Sequence, residues 1–222
     1  MKKLLIALIV IGFGHLPIFA HNFWASKLNN NVKLYFGDWE ESIKEEGEKL
    51  NHINTEVILP HNSVKTITRH NDHVNLELHT SGDIVIVNTR EPRKNRIDES
   101  ISQNIIATRA GREEVITLAT LDVLPDKPNS NTFTLMFNGQ PLAQTNVTLY
   151  SPTTWSKPFK SNENGEFTIH TPWQGEYMLV LKHNDNMAGQ INKKAYYNTN
   201  YTTTITFMVK NGIPWGRPLE EK

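Results

Sequence analysis

Apolar and polar residues alternate along much of this chain, and the dominant period is two. Val32, Leu34 and Phe36 fall on one side, with Lys33 and Tyr35 on the other, as in a half-buried strand that stops at Gly37-Asp38. Asp38 followed three residues later by Glu41 has capping-box spacing, in which side-chain oxygens meet the unpaired amides of a helix start. Trp39, Ile43, Gly47 and Leu50 then share one helical face, while Glu40, Glu41, Lys44, Glu45 and Glu48 share the other. This predicts one short amphipathic helix, weakened by Gly47. Strand character returns at Val57-Ile58-Leu59 and at the alternating Val74, Leu76 and Leu78. Ile84-Val85-Ile86-Val87 is a continuous apolar run suited to a strand covered on both faces. Residues 89–113 show no clear period and are expected to be loop with room for a short helix. Residues 115–123 resume extended character, and Leu124-Pro125-Asp126-Lys127-Pro128-Asn129-Ser130 is the expected linker.

The segment beyond the linker alternates more cleanly. Phe133, Leu135 and Phe137 precede an Asn138-Gly139 turn, and Val147 and Leu149 begin the next strand. Asn162-Glu163-Asn164-Gly165 is a hairpin signal. Phe167 and Ile169, then Tyr177, Leu179 and Leu181, and finally Ile205, Phe207 and Val209 continue the inward pattern. Short strands spaced every eight to twelve residues or so point to a sandwich. The expected fold is therefore mainly all-β: two immunoglobulin- or transthyretin-like β-sandwich domains, with one short helix in the first. The domains are expected at residues 21–125 and 130–210, with a tail at 211–222.

Composition narrows the setting. Lys2 and Lys3, an apolar run over residues 4–13 and the small residue Ala20 read as a secretory signal over residues 1–20. The apolar run is too short for a span of about 20 residues. There is no cysteine, which excludes a disulfide framework, a thiolate metal site and a cysteine nucleophile. Together these suit a bacterial periplasm. The 23 basic and 23 acidic residues balance, so there is no electrostatic footprint for nucleic acid.

The junction Ala20-His21-Asn22-Phe23-Trp24 carries the most specific chemistry. Cleavage after Ala20 would leave His21 as the N-terminal residue, with an α-amine and a ring nitrogen available to one metal. The unperturbed amine pKa near 8 makes it an easier ligand than a lysine. Amine and imidazole nitrogens suit copper, nickel and zinc, and a second imidazole would complete a histidine brace.

His-Asn-Phe-Trp after the leader, Leu34-Tyr35-Phe36-Gly37-Asp38 and Leu121-Asp122-Val123-Leu124-Pro125 resemble a family of exported bacterial proteins of unknown function. So do Asn138-Gly139-Gln140-Pro141-Leu142-Ala143, Asn164-Gly165-Glu166-Phe167, Gly175-Glu176-Tyr177, and the run from Lys182-His183 to the Thr-rich last strand. The resemblance covers nearly all of the mature chain. Members are found beside nickel and cobalt uptake systems and are often named as their periplasmic components, which implies metal handling with a membrane metal transporter as partner. The chain departs from the family at Asn200-Tyr201, where members often carry a histidine.

His183 is the expected partner of His21. It has the inward parity of Leu179 and Leu181 and sits where the family also tends to have a histidine. Asp185, two residues on, would ligate the metal or orient His183. His52, His61, His70, His73, His79 and His170 read as structural or surface groups, the pair at 70 and 73 in a solvated hairpin turn.

Enzymatic readings fail on inventory: there is no nucleophile elbow, phosphate-binding glycine loop, His-Glu-x-x-His helix or dinucleotide fingerprint. The sequence therefore predicts a non-enzymatic periplasmic protein that binds or delivers a transition metal (nickel, cobalt or copper) through His21, His183 and Asp185. The alternative is a metal-free β-sandwich adhesion or interaction module. A lesser alternative is a histidine-brace copper oxidase with Trp155, Trp173 and Trp215 as sugar platforms, residues that more often pack in cores or at edges.

Overall fold

The computed structural model describes residues 21–79, 81–95 and 99–214. The expected signal over residues 1–20 lies outside them, as does Trp215. In chain order the strands begin β1 (Asn22–Leu28), β2 (Asn31–Asp38), β3 (Ile43–Lys44), β4 (Val57–Leu59), β5 (Val64–Arg69) and β6 (Val74–Leu78). Next come β7 (Ile84–Lys94), β8 (Ile101–Ala110), β9 (Leu121–Pro125), β10 (Thr132–Phe137), β11 (Gln140–Pro141) and β12 (Asn146–Tyr150). The last are β13 (Ser156–Lys160), β14 (Glu166–Thr168), β15 (Gly175–Asp185), β16 (Gly189–Ile191), β17 (Lys194–Tyr196) and β18 (Asn198–Val209). The fold is all-β, as the two-residue period predicts.

A seven-stranded sheet in the order β13-β12-β15-β18-β8-β7-β4 forms the middle layer. Alternate residues of its strands face opposite ways, and each side has its own covering sheet. Leu179, Leu181, Ile205 and Phe207 point toward the sheet of β9, β10, β11 and β14, where they bury Phe133, Leu135 and Val123. On the other side stands the sheet β1-β2-β6-β5, with β3 paired to β2. One face of that sheet packs Val32, Leu34 and Leu76 against Ile84, Ile86 and Ala110. Its other face packs Trp24 and Tyr35 against Met178 and Val180.

The two sequence halves meet inside the middle sheet, where β8 and β18 pair in parallel from Ser102↔Asn198 to Ala110↔Thr206. This accounts for the missing period over residues 89–113. The expected loop is instead strand, with β7 running to Lys94 and β8 starting at Ile101. Both faces of β8 meet protein, and one buried position is a charge. Arg109 is fully buried and bonds Asp83 at 2.8 Å and Asp122 at 3.0 Å. Arg109 also donates to the carbonyls of Glu114 and Ile116, folding residues 112–119 over the three charged groups. Asp122 accepts backbone N–H bonds from Leu118 and Val123. Such a group breaks hydrophobic alternation without breaking the strand. The start of the expected linker is strand as well, since every residue of β9 is buried against β10.

The expected amphipathic helix is also corrected. Glu41 N–H does donate to Asp38 Oδ1 at 2.9 Å, so the cap bond forms. The chain then turns back, with Ser42 at φ 56°, and β3 pairs with the end of β2. A 3-10 helix at Gly47–His52 is the one helical element among the described residues, and it buries Leu50. Ile43, expected on the buried helical face, is exposed.

Candidate functional site

Backbone pairing positions His21 and its neighbours. Asn22 pairs with Gly37 and Phe23 with Phe36, which brings the His21 ring onto the Phe36 ring, 5.2 Å between centroids and stacked. Glu45 N–H donates to the Phe36 carbonyl at 2.8 Å, so the short β3 hairpin returns a carboxylate to the same place. His21 Nε2 lies 2.6 Å from Glu45 Oε1. Lys49 donates to the other carboxylate oxygen. The bonds from Lys49 and His21 hold the Glu45 carboxyl below its usual pKa. Gly37 makes this arrangement possible, because a Cβ there would lie 2.1 Å from the Ile43 carbonyl oxygen.

The carboxylate decides which ring nitrogen is free. Glu45 is an acceptor when ionised, so His21 Nε2 carries the proton it accepts. The lone pair of a neutral ring then sits on Nδ1, the nitrogen nearer the main chain. A carboxylate behind the imidazole is the arrangement that orients metal-binding histidines.

His183 does not join this site. It pairs with Tyr201, and its ring lies tilted against Phe137 with centroids 4.4 Å apart, on the side of the middle sheet that faces β10. Phe23 lies over the opposite side, where its carbonyl meets Thr204. The sheet thus separates His21 from His183, and the expected two-histidine chelate does not form. The inward parity of His183 is correct, but sequence parity does not say which of two covering sheets a side chain meets. Asp185 pairs with Thr199 and accepts the Met187 N–H at 3.2 Å, a local turn bond. Among the described residues there is no group of three or more histidine, aspartate or glutamate side chains placed to hold a metal.

The remaining candidates have structural partners. His70 and His73 stack at 4.4 Å in the β5–β6 turn, and His70 N–H donates to the His73 carbonyl. His73 Nδ1 lies 2.7 Å from Asp72 Oδ1, and burial lowers the His73 pKa. Trp155 and Trp173 meet edge to face at 5.3 Å and pack on the core of the second half, as edge packing requires. A cavity of about 210 Å³ lies beside the His183 face, lined by Val57, Leu59, Val87, Ile105 and Tyr201. A second recess lies under Phe36, with Asn88 and Arg90 in its wall.

Sequence reading missed Glu45, which it placed on a solvated helix face. The signal was the hairpin-forming Gly37, masked by the capping-box spacing just after it. Comparison with family models, curated proteins and solved structures gives no match. No helix among the described residues is long and apolar enough to cross a membrane.

Proposed function

We propose that this protein is an exported accessory of a nickel or cobalt uptake system and carries its metal on the N-terminal residue His21. Cleavage after Ala20 frees the α-amine, which forms a chelate with Nδ1 of the same residue. The reading rests chiefly on the 2.6 Å contact between His21 Nε2 and Glu45, which leaves Nδ1 as the open ligand. Nickel(II), cobalt(II) and copper(II) all accept such nitrogen pairs. With His183 and Asp185 on other parts of the fold, the chain supplies two nitrogens and leaves further coordination positions to water or to a receiving transporter. That openness suits delivery better than storage or catalysis.

Titrating nickel(II) and copper(II) by calorimetry tests the reading, after intact mass has fixed the mature N-terminus. The comparison is between protein beginning at His21 and protein with one extra residue before it. One metal per chain, lost in the extended protein, supports the chelate. Equal behaviour of the two proteins, or cleavage elsewhere, favours the metal-free interaction module.

A further inference from the structure

The recess beneath Phe36 contains donors without acceptors. Asn88 is 3 % exposed, and its Oδ1 accepts the Asn54 N–H, which assigns the amide oxygen and leaves Nδ2 as the donor. That Nδ2 is buried and has no hydrogen-bond partner among the described residues. Buried polar groups are nearly always paired, so an orphan of this kind marks a missing partner. Arg90, two residues along β7 on the same side, lines the same recess and is half-buried. Among the described residues its guanidinium makes no hydrogen bond or ion pair. Burial and the neighbouring Arg93 both lower its pKa, with no acidic group to offset them. His52 completes the polar wall, and Phe23, Phe36 and Ile106 form the apolar one.

We propose that this recess is a binding site for a small carboxylate, with one oxygen on Asn88 Nδ2 and the other on the Arg90 guanidinium. The cavity is about 10 Å³, room for roughly the one oxygen on Asn88 Nδ2, so the oxygen on Arg90 and the substituent of the acid lie outward at its mouth. A cationic donor, a neutral donor and an apolar wall suit a planar carboxylate. A tetrahedral phosphate would press its remaining oxygens on aromatic and aliphatic carbon. The inference is independent of metal at His21.

Acetate, benzoate and inorganic phosphate, each titrated into metal-free full-length mature protein at constant ionic strength, test this. The readouts are the Asn88 side-chain amide resonance and the heat of binding. Acetate and benzoate are expected to shift that resonance saturably, with phosphate weaker by about tenfold or more. Arg90→Gln is expected to weaken carboxylate binding by about tenfold or more, and Arg90→Lys by less. Asn88→Asp keeps an acceptor for the Asn54 N–H and supplies Arg90 with a counter-charge, so it should fold and lose binding, read by calorimetry. An Asn88 resonance that does not move with carboxylate would show that the recess holds only water. Arg90→Gln binding as tightly as the unmodified protein, or phosphate matching benzoate, would also overturn the assignment.

Discussion

Thr204 Oγ1 donates a 2.7 Å hydrogen bond to the carbonyl of Phe23, 181 residues away in sequence. Thr206 makes the same bond to the carbonyl of Ala25. The two hydroxyls occupy the outer edge of β1, which pairs only with β2 among the described strands. An unpaired strand edge is a template for aggregation, and here side chains of the middle sheet cover it. The same contacts seat the strand that follows His21 upon the sheet joining both halves of the chain. The Thr108 and Thr204 hydroxyl oxygens, 2.9 Å apart, extend the network to β8.

Thr204→Val keeps the shape and removes the donor, leaving the Phe23 carbonyl buried and unpaired. A loss of about 1–3 kcal/mol is expected, because the desolvation of an orphaned group is no longer offset. Urea unfolding would measure it, and amide exchange should quicken first in β1. Unchanged stability would mean that water replaces the hydroxyl.

Asp122→Ala removes one acceptor from a fully buried Arg109 and three backbone N–H groups. Breaking a buried ion pair from one side costs about 3–5 kcal/mol, enough to threaten folding. Asp122→Asn retains an acceptor and should lose less. The ordering of the two denaturation midpoints checks the assignment.

Glu176 gives the stability a pH dependence. Burial raises its carboxyl pKa from 4.5 to about 7, against the lowering effects of the Ser26 hydroxyl and Lys44. The folded protein therefore holds this proton more tightly than the unfolded chain does. Stability from this group is highest below about pH 4.5, declines as pH rises, and levels off above about 7. The full change is on the order of 3 kcal/mol. Glu176→Gln should flatten that slope between pH 5 and 8 and raise the melting temperature most at the alkaline end, as seen by calorimetric scans.

Gly37→Ala places a methyl group against the Ile43 carbonyl and forces β2 and β3 apart. A cost of about 1–3 kcal/mol is expected from such overpacking. Glu45 would leave His21, so the His21 imidazole resonances should lose the imprint of the carboxylate. If they are unchanged, the hairpin has another way to hold Glu45.

Most strands were legible because their environment is simple. Val74, Leu76 and Leu78 bury one face, as do Val147 and Leu149, and a period of two follows directly. The Asn138-Gly139 and Asn164-Gly165 turns were legible for a backbone reason, with Asn138, Gly139 and Gly165 at positive φ. β5 and β13 were not, since both are largely exposed and carry no contrast between faces. Within the candidate site, His21 stood out by its place after the expected leader, whereas Glu45 looked like one more acid on a solvated helix.

The sequence by itself determined the all-β class and the turns. These depend on neighbours a few positions apart, where side-chain alternation and glycine geometry act. The tertiary structure alone decided that β8 lies parallel to β18, that Arg109 is a buried centre rather than a loop charge, and that His21 and His183 face opposite sides of one sheet. It also brought Glu45 to His21 and left Asn88 without an acceptor. Those facts follow from long-range pairing, whose register is set by cores and buried charges on both sides of the sheet and leaves no periodic trace in either strand.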